Sequence, residues 1–289
     1  MAIWRKALFP FQILFAGAVL LRKKLYAKGV ISRYVAPIPT IVVGNLATGG
    51  TGKTPMIDFL LRHFSQKKEL GVLSRGYGRK SKGFLAVHSN APSSEMGDEP
   101  LMLAQKHPAV FMAVCENRPK GIVQMLQQKP ALEAIFLDDA LQHLALQPHF
   151  KIVLTTFQKP WFDDALLPVG NLREPSSAAR DADIVVVTKC PKTIDAESST
   201  QFRVRLGLLP HQALFFTTLA YETHVRGANT LPLREFVKSP FVLITGIANP
   251  KPLVDFLKGQ GADFRHLSYP DHHDFSEKEI ASLKAMQQP

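Results

Sequence analysis

The 289-residue chain carries 35 Lys and Arg against 24 Asp and Glu, a formal charge of +11, with 46% apolar residues and a mean hydropathy near zero. Those totals exclude a disordered chain and describe a folded, water-soluble body of one large domain or two. The two cysteines, Cys115 and Cys190, show no metal-ligand spacing and suit reduced thiols in a cytosolic setting.

The charge is unevenly placed. No acid precedes Asp58, whereas Arg5, Lys6, Arg22, Lys23, Lys24, Lys28, Arg33 and Lys53 all do. Such a basic N-terminus can face nucleic acid or an anionic membrane. Within it, "ALFPFQILFAGAVLL" (7–21) is apolar apart from Gln12 and is flanked by basic residues. It is short for a spanning helix, which needs about 20 apolar residues. A signal peptide is excluded because "RKK" follows where a small-residue cleavage site belongs. A core helix and an interfacial anchor both remain, and cationic flanks suit the anchor, with lysines on headgroup phosphates.

The first β-rich run, "TIVVG" (40–44), leads into "NLATGGTGKTP" (45–55) and then the amphipathic stretch "TPMIDFLLRHFSQK" (54–67). Strand, glycine turn and helix together define a P-loop. Backbone N–H groups of Thr48, Gly49, Gly50, Thr51, Gly52 and Lys53 are expected to wrap phosphate at the helix N-terminus. Lys53 balances the β/γ-phosphates, and the Thr54 hydroxyl ligates Mg²⁺. Ala47 stands where the first glycine of the pattern usually is.

Further apolar runs follow: "LGVLS" (70–74), "AVFMAV" (109–114), "EAIFLDD" (133–139), "FKIVLTT" (150–156) and "DIVVVTK" (183–189), with the helical pattern "RPKGIVQMLQQK" (118–129) among them. Alternating strand and helix predicts a doubly wound, mostly parallel α/β sheet of the P-loop NTPase type. After Leu206 the pattern changes. "ALFFTTLAYE" (213–222) reads as a strand, a loop follows, and "FVLITGIANPKPLVDFLKGQG" (241–261) restarts a strand–helix unit. The expected organisation is an N-terminal apolar and basic segment (1–34), a kinase core (35–206), an extended linker (207–222) and a smaller C-terminal α/β domain (223–289).

Several clusters can carry chemistry. Asp138 and Asp139 end an apolar strand and can present a carboxylate to the Mg²⁺ held by Thr54, with Gln142 and His143 lining the same cleft. Asp98 and Glu99 in "MGDEPLMLAQK" precede a helical pattern, either as helix-terminal acids or with one accepting a proton from an attacking hydroxyl. "SRGYGRK" and "GNLREP" place Arg75, Arg79 and Arg173 in loops, where arginine can hold phosphate or stabilise transferring charge. "PDHHDF" (270–275) suits acid–base assistance at least as well as metal binding, since adjacent histidines seldom reach one ion. Glu174 at the metal, with Glu99 and Arg118 among the substrate-binding and charge-stabilising residues, completes the candidate set.

The order "GNLATGGTGKTP", "LSRGYGRK", "GDEP", "DDALQH", "LLPVGNLREP", "VVTK", "TGIANP", "DHHDF" resembles the tetraacyldisaccharide 4′-kinases, the lipid A kinases of Gram-negative bacteria. The resemblance implies transfer of the γ-phosphate of MgATP to the 4′-hydroxyl of a tetraacyldisaccharide 1-phosphate, peripherally at the cytoplasmic face of the inner membrane. It implies nucleotide and metal roles for Lys53 and Thr54, a metal role for Asp138 or Asp139, and Asp98 as base paired with His272. Neither nucleic acid nor a stable protein partner is expected. Two departures stand out: Ala140-Leu141 where the family often has Gly-Phe, and an end at "ASLKAMQQP" before the family's Thr-Glu-Lys-Asp motif, so the C-terminal domain is expected to be incomplete. The rival readings are a P-loop ATPase that switches a protein or nucleic-acid partner, for which no aromatic-basic module is present, and a soluble small-molecule kinase.

Overall fold

The computed structural model describes residues 7–227, 229–271 and 273–286. The chain divides into two compact units, Met1–Leu219 and Ala220–Pro289.

The first unit is built on an eight-stranded sheet: β1 (Thr40–Asn45), β2 (Leu70–Ser74), β3 (Leu85–Ala86), β4 (Phe111–Val114), β5 (Ala134–Asp138), β6 (Phe150–Thr156), β7 (Ile184–Thr188) and β8 (Ala213–Phe216). Their order across the sheet is β8-β7-β6-β1-β5-β2-β4-β3. Every pairing is parallel except the short edge pair of β3 with β4. Runs of consecutive apolar residues follow from this, because helices cover both faces of a parallel sheet. Neighbouring residues go to opposite sides. Val43 and Val72 pack with Ile57, Leu61 and Leu103 on one face, while Val42 and Leu73 pack with Ile122 and Met125 on the other. A third cluster gathers Val153, Val185 and Val187 with Trp161 and Ala179.

The helices that cover the sheet include α2 (Lys53–Phe64), α3 (Asp98–Lys106) and α4 (Arg118–Gln128). Ahead of them, α1 (Phe9–Ala27) has no buried residue, and Phe9, Phe11, Ile13, Leu14, Leu20 and Leu21 are exposed. That disposition is not that of a core helix. Among the described residues no helix is long and apolar enough to cross a membrane.

The stretch expected as a linker, 207–222, contains β8, whose Ala213–Phe216 pair with Ile184–Val187 at the sheet edge. An exposed apolar segment that can satisfy its backbone on an open strand edge joins that edge. The division between units accordingly falls after Leu219, not after residue 222.

The second unit holds the parallel pair β9 (Phe241–Thr245) and β10 (Phe264–Ser268), joined through α5 (Lys251–Gly259), and then α6 (Glu277–Ala285). Stacked Phe241 and Phe264 rings tie the two strands together. A capping box, in which Ser276 and Glu279 satisfy each other's backbone N–H, starts α6.

Candidate nucleotide and phosphoryl-transfer site

In a parallel α/β sheet the loops leaving the carboxyl ends of adjacent strands meet on one edge. Here that edge collects Asn45, Ser74, Asp138 and Thr188, the last residues of β1, β2, β5 and β7.

The glycine loop leaves β1, and α2 begins at Lys53. Gly49 and Gly52 have φ of +106° and +90°, conformations that other residues adopt only with strain. The first helical bond runs from Met56 N to Gly52 O at 3.0 Å. The N–H groups of Lys53 and Thr54 precede it, in the turn whose donors have no intrahelical acceptor. Pro55, in that same turn, has no N–H to lose.

Around the loop the side chains interlock. Lys53 Nζ donates to Asn45 Oδ1 at 3.4 Å and lies 3.6 Å from Asp139 Oδ2. Arg173 grips Asp139 with two bonds, 2.8 and 3.1 Å, and also donates to the backbone and side-chain oxygens of Asn45. Gln142 Nε2 donates to Asn45 O at 3.0 Å. Burial would raise the Asp139 pKa, but the Arg173 hydrogen bonds and the Lys53 charge hold it below the usual carboxylate range.

Asp138 behaves oppositely. Its Oδ2 accepts from Ser74 Oγ at 3.0 Å, while Oδ1 is buried without a partner. Burial, with the Asp139 charge added, pushes its pKa up to about 6. An orphaned carboxylate oxygen beside a second carboxylate suits a divalent cation, which would supply the missing partner and favour ionisation. Among the described residues no three His, Cys, Asp or Glu side chains form a metal cage. Nucleotide-bound Mg²⁺ needs only one or two carboxylates, with phosphate and water completing its octahedron.

Arg118 opens α4 in a buried position, with NH1 on Cys115 O (2.6 Å) and NH2 on Asp138 O (2.9 Å). Burial lowers its pKa to about 10, still cationic at neutral pH. The site therefore receives its charge, while these two nitrogens bind backbone. His143 Nε2 is buried without a partner, and burial, then Arg118, Arg22 and Arg75, lower the pKa of this imidazole. Each of these influences favours the neutral imidazole.

Gly97 has φ +87°, and a Cβ there would lie 3.1 Å from both Gly76 Cα and Tyr77 O. Two glycines thus allow the loop after β2, with Arg75, to pass directly against the start of α3. Asp98 is exposed as the first residue of that helix, and Glu99 is near enough for its charge to raise Asp138. Glu174 departs from expectation: it is buried and paired with Lys23 of α1. His272 lies outside the described residues. His273 is engaged within its own unit, Nε2 on Glu279 Oε1 at 3.0 Å and its ring stacked on Tyr269.

A family model described as tetraacyldisaccharide-1-P 4′-kinase (LpxK) matches residues 4–289. The chain belongs to this family. The tetraacyldisaccharide 4′-kinase of Flavobacterium johnsoniae is 42% identical over 285 residues, covering 98% of this chain and 83% of that protein. That of Bacteroides thetaiotaomicron is 37% identical over 291 residues, covering 96% and 77%. A crystal structure of Aquifex aeolicus LpxK in complex with ATP superposes with a TM-score of 0.79 at 30% identity, covering 95% of this chain and 84% of that one. The fold is the α/β P-loop NTPase type, with a mostly parallel sheet.

For a tetraacyldisaccharide 4′-kinase this edge supplies suitable cations, with Lys53 and Arg173 beside Asn45 and Asp139 and the buried Arg118 against Asp138 O. Sequence reasoning missed Asn45, the hub that Lys53, Gln142 and Arg173 share, and Ser74, the partner of Asp138. Both are short polar residues at strand ends, which in one dimension resemble any strand terminus.

Proposed function

We propose that this chain transfers the γ-phosphate of MgATP to the 4′-hydroxyl of a tetraacyldisaccharide 1-phosphate, working peripherally at the cytoplasmic face of a bacterial inner membrane. The observation that carries the reading is the convergence of Lys53, Asn45, Arg173 and the Asp138–Asp139 pair on the P-loop. Family membership supplies the acceptor.

Phosphoryl transfer proceeds through a loose transition state with charge on the equatorial oxygens, so positioning and electrostatics do most of the work. Lys53 and Arg173 neutralise that charge from nitrogens already fixed by Asn45 and Asp139, so little reorganisation accompanies reaction. Asp138 and Asp139 with the Thr54 hydroxyl would hold Mg²⁺, which when bound neutralises polyphosphate charge. Asp98, at an exposed helix start, accepts the proton of the sugar hydroxyl. Arg75 and Arg118 contribute charge, and Gln142, His143 and Glu99 form the adjoining wall.

A membrane site of action is supported by α1, which exposes a broad apolar face between basic flanks. The deciding assay offers ATP, Mg²⁺ and the disaccharide 1-phosphate in mixed micelles and looks for a bisphosphate product. Turnover of water-soluble acceptors with none of the lipid would overturn the proposal.

A further inference from the structure

Thr188 and Lys189, at the end of β7, bond to backbone carbonyls of the P-loop. Thr188 is buried, and its Oγ1 lies 2.7 Å from Thr51 O and 3.2 Å from Thr155 O. Lys189 Nζ donates to Gly50 O at 2.6 Å. Lys189 also has φ +56°. Among the described residues only it and Asp139 are non-glycine residues at positive φ, and both follow strands that end beside the P-loop. Such a conformation is strained and persists only where its surroundings enforce it, which makes it a pointer to function. An exposed lysine gives little stability in return.

We propose that Thr188 and Lys189 form a strap that sets the P-loop for ATP, with Lys189 a positioning residue for the phosphates. In a trans peptide the N–H points opposite to the C=O. Holding Thr51 O on Thr188 therefore aims the Gly52 N–H away from β7, and holding Gly50 O sets the Thr51 peptide, whose N–H rests on Gly49 O at 3.1 Å. The Lys189 ammonium adds a positive charge behind the loop. This inference rests on the reading of the loop as an ATP site.

The test is Lys189→Gly, which removes the ammonium but relieves the left-handed strain, with Lys189→Arg, Thr188→Val and Thr188→Ser beside it. The measurements are the MgATP dissociation constant by calorimetry, the unfolding midpoint of the nucleotide-free protein, and KM against kcat. Lys189→Gly is expected to match or exceed the native midpoint while binding MgATP about tenfold more weakly, the low end for a charged hydrogen bond because the lysine is exposed. KM should rise more than kcat falls. Lys189→Arg should recover most of the affinity, and Thr188→Ser should recover what Thr188→Val loses. Native affinity in Lys189→Gly overturns the strap. So does a joint loss of stability and affinity that Lys189→Arg does not restore. Lys53→Ala separates the two levels: if it too binds MgATP normally, the nucleotide site itself is wrong, whereas normal binding by Lys189→Gly alone removes only the strap.

Discussion

Two helices of the first unit show that apolar sequence and burial are different things. α1 spans 19 residues, is the more apolar of the two, and buries none of them. α2 spans 12 residues, is interrupted by charge, and yet buries Ile57, Asp58 and Leu61. What separates them is direction. Ile57 and Leu61 stand one turn apart and face the sheet, so α2 is fixed by its packing and holds the P-loop at its start. In α1 the exposed apolar residues form a face too broad for the one stripe that would commit it to the core.

The largest expected effect tests what α2 presents. Lys53→Ala should lower kcat/KM by about 10³-fold, roughly 4 kcal/mol of transition-state stabilisation, because its ammonium serves phosphates that water no longer screens. Folding should survive, since among the described residues the hydrogen bond and ion pair of Lys53 go to Asn45 and Asp139, both part of the site rather than of the core. Turnover near the native rate in a folded Lys53→Ala protein would detach the start of α2 from the chemistry.

Leu61 tests what α2 buries. It is fully buried, so Leu61→Ala should cost about 3 kcal/mol of unfolding free energy, the transfer term plus a cavity. A loss below about 1 kcal/mol in urea titration would show that this face is no better packed than α1. This helix was legible in the sequence because its periodicity and its glycine entrance agree. The runs "LGVLS" and "FKIVLTT" likewise became strands over the same residues, 70–74 and 150–156. Features that depend on which strand neighbours which were not legible. The "TK" of "VVTK" meets the P-loop only because β7 lies two places from β1, and Glu174 meets Lys23 across 150 intervening residues in no recognisable pattern. β8 was legible as a strand in "ALFFTTLAYE", but its place at the edge of the main sheet, paired with β7, was not.

Asp58 connects α2 to the far end of α3. It accepts from Arg62 and Lys106 at 2.7 Å each, and its Oδ1 lies 2.7 Å from His107 Nε2. Burial alone would raise its pKa, but the bonds to Lys106, His107 and Arg62 lower it overall. A carboxyl whose folded pKa is depressed stabilises the fold above its unfolded value, about 3.9. That contribution disappears as pH falls through the lower, folded value. Asp58→Asn should therefore lose about 1–3 kcal/mol at pH 7, and the gap to the native protein should narrow progressively below about pH 4. A gap unchanged between pH 7 and pH 3 would mean that the charge of Asp58 does not tie the helices together.

The smallest effect on stability is expected on α1, and it discriminates most sharply between the two helices. Leu14 and Leu21 are 71% and 59% exposed, so replacing both by serine removes little packing. The helix-propensity penalty of two such changes sums to less than about 1 kcal/mol. The same substitutions should cut binding to anionic vesicles by more than tenfold, because a leucine side chain taken from water into the acyl boundary is worth about 1.5–3 kcal/mol. Salt should weaken the native protein's vesicle binding without abolishing it, since screening removes the attraction of Arg22, Lys23 and Lys24 for headgroups but leaves apolar insertion intact. Lys23 is already committed to Glu174, so Lys24→Ala should reduce the salt dependence more than Lys23→Ala does. If Leu14→Ser with Leu21→Ser costs as much unfolding free energy as Leu61→Ala and leaves vesicle binding unchanged, then α1 is a packed helix like α2, and its apolar face has no membrane to meet.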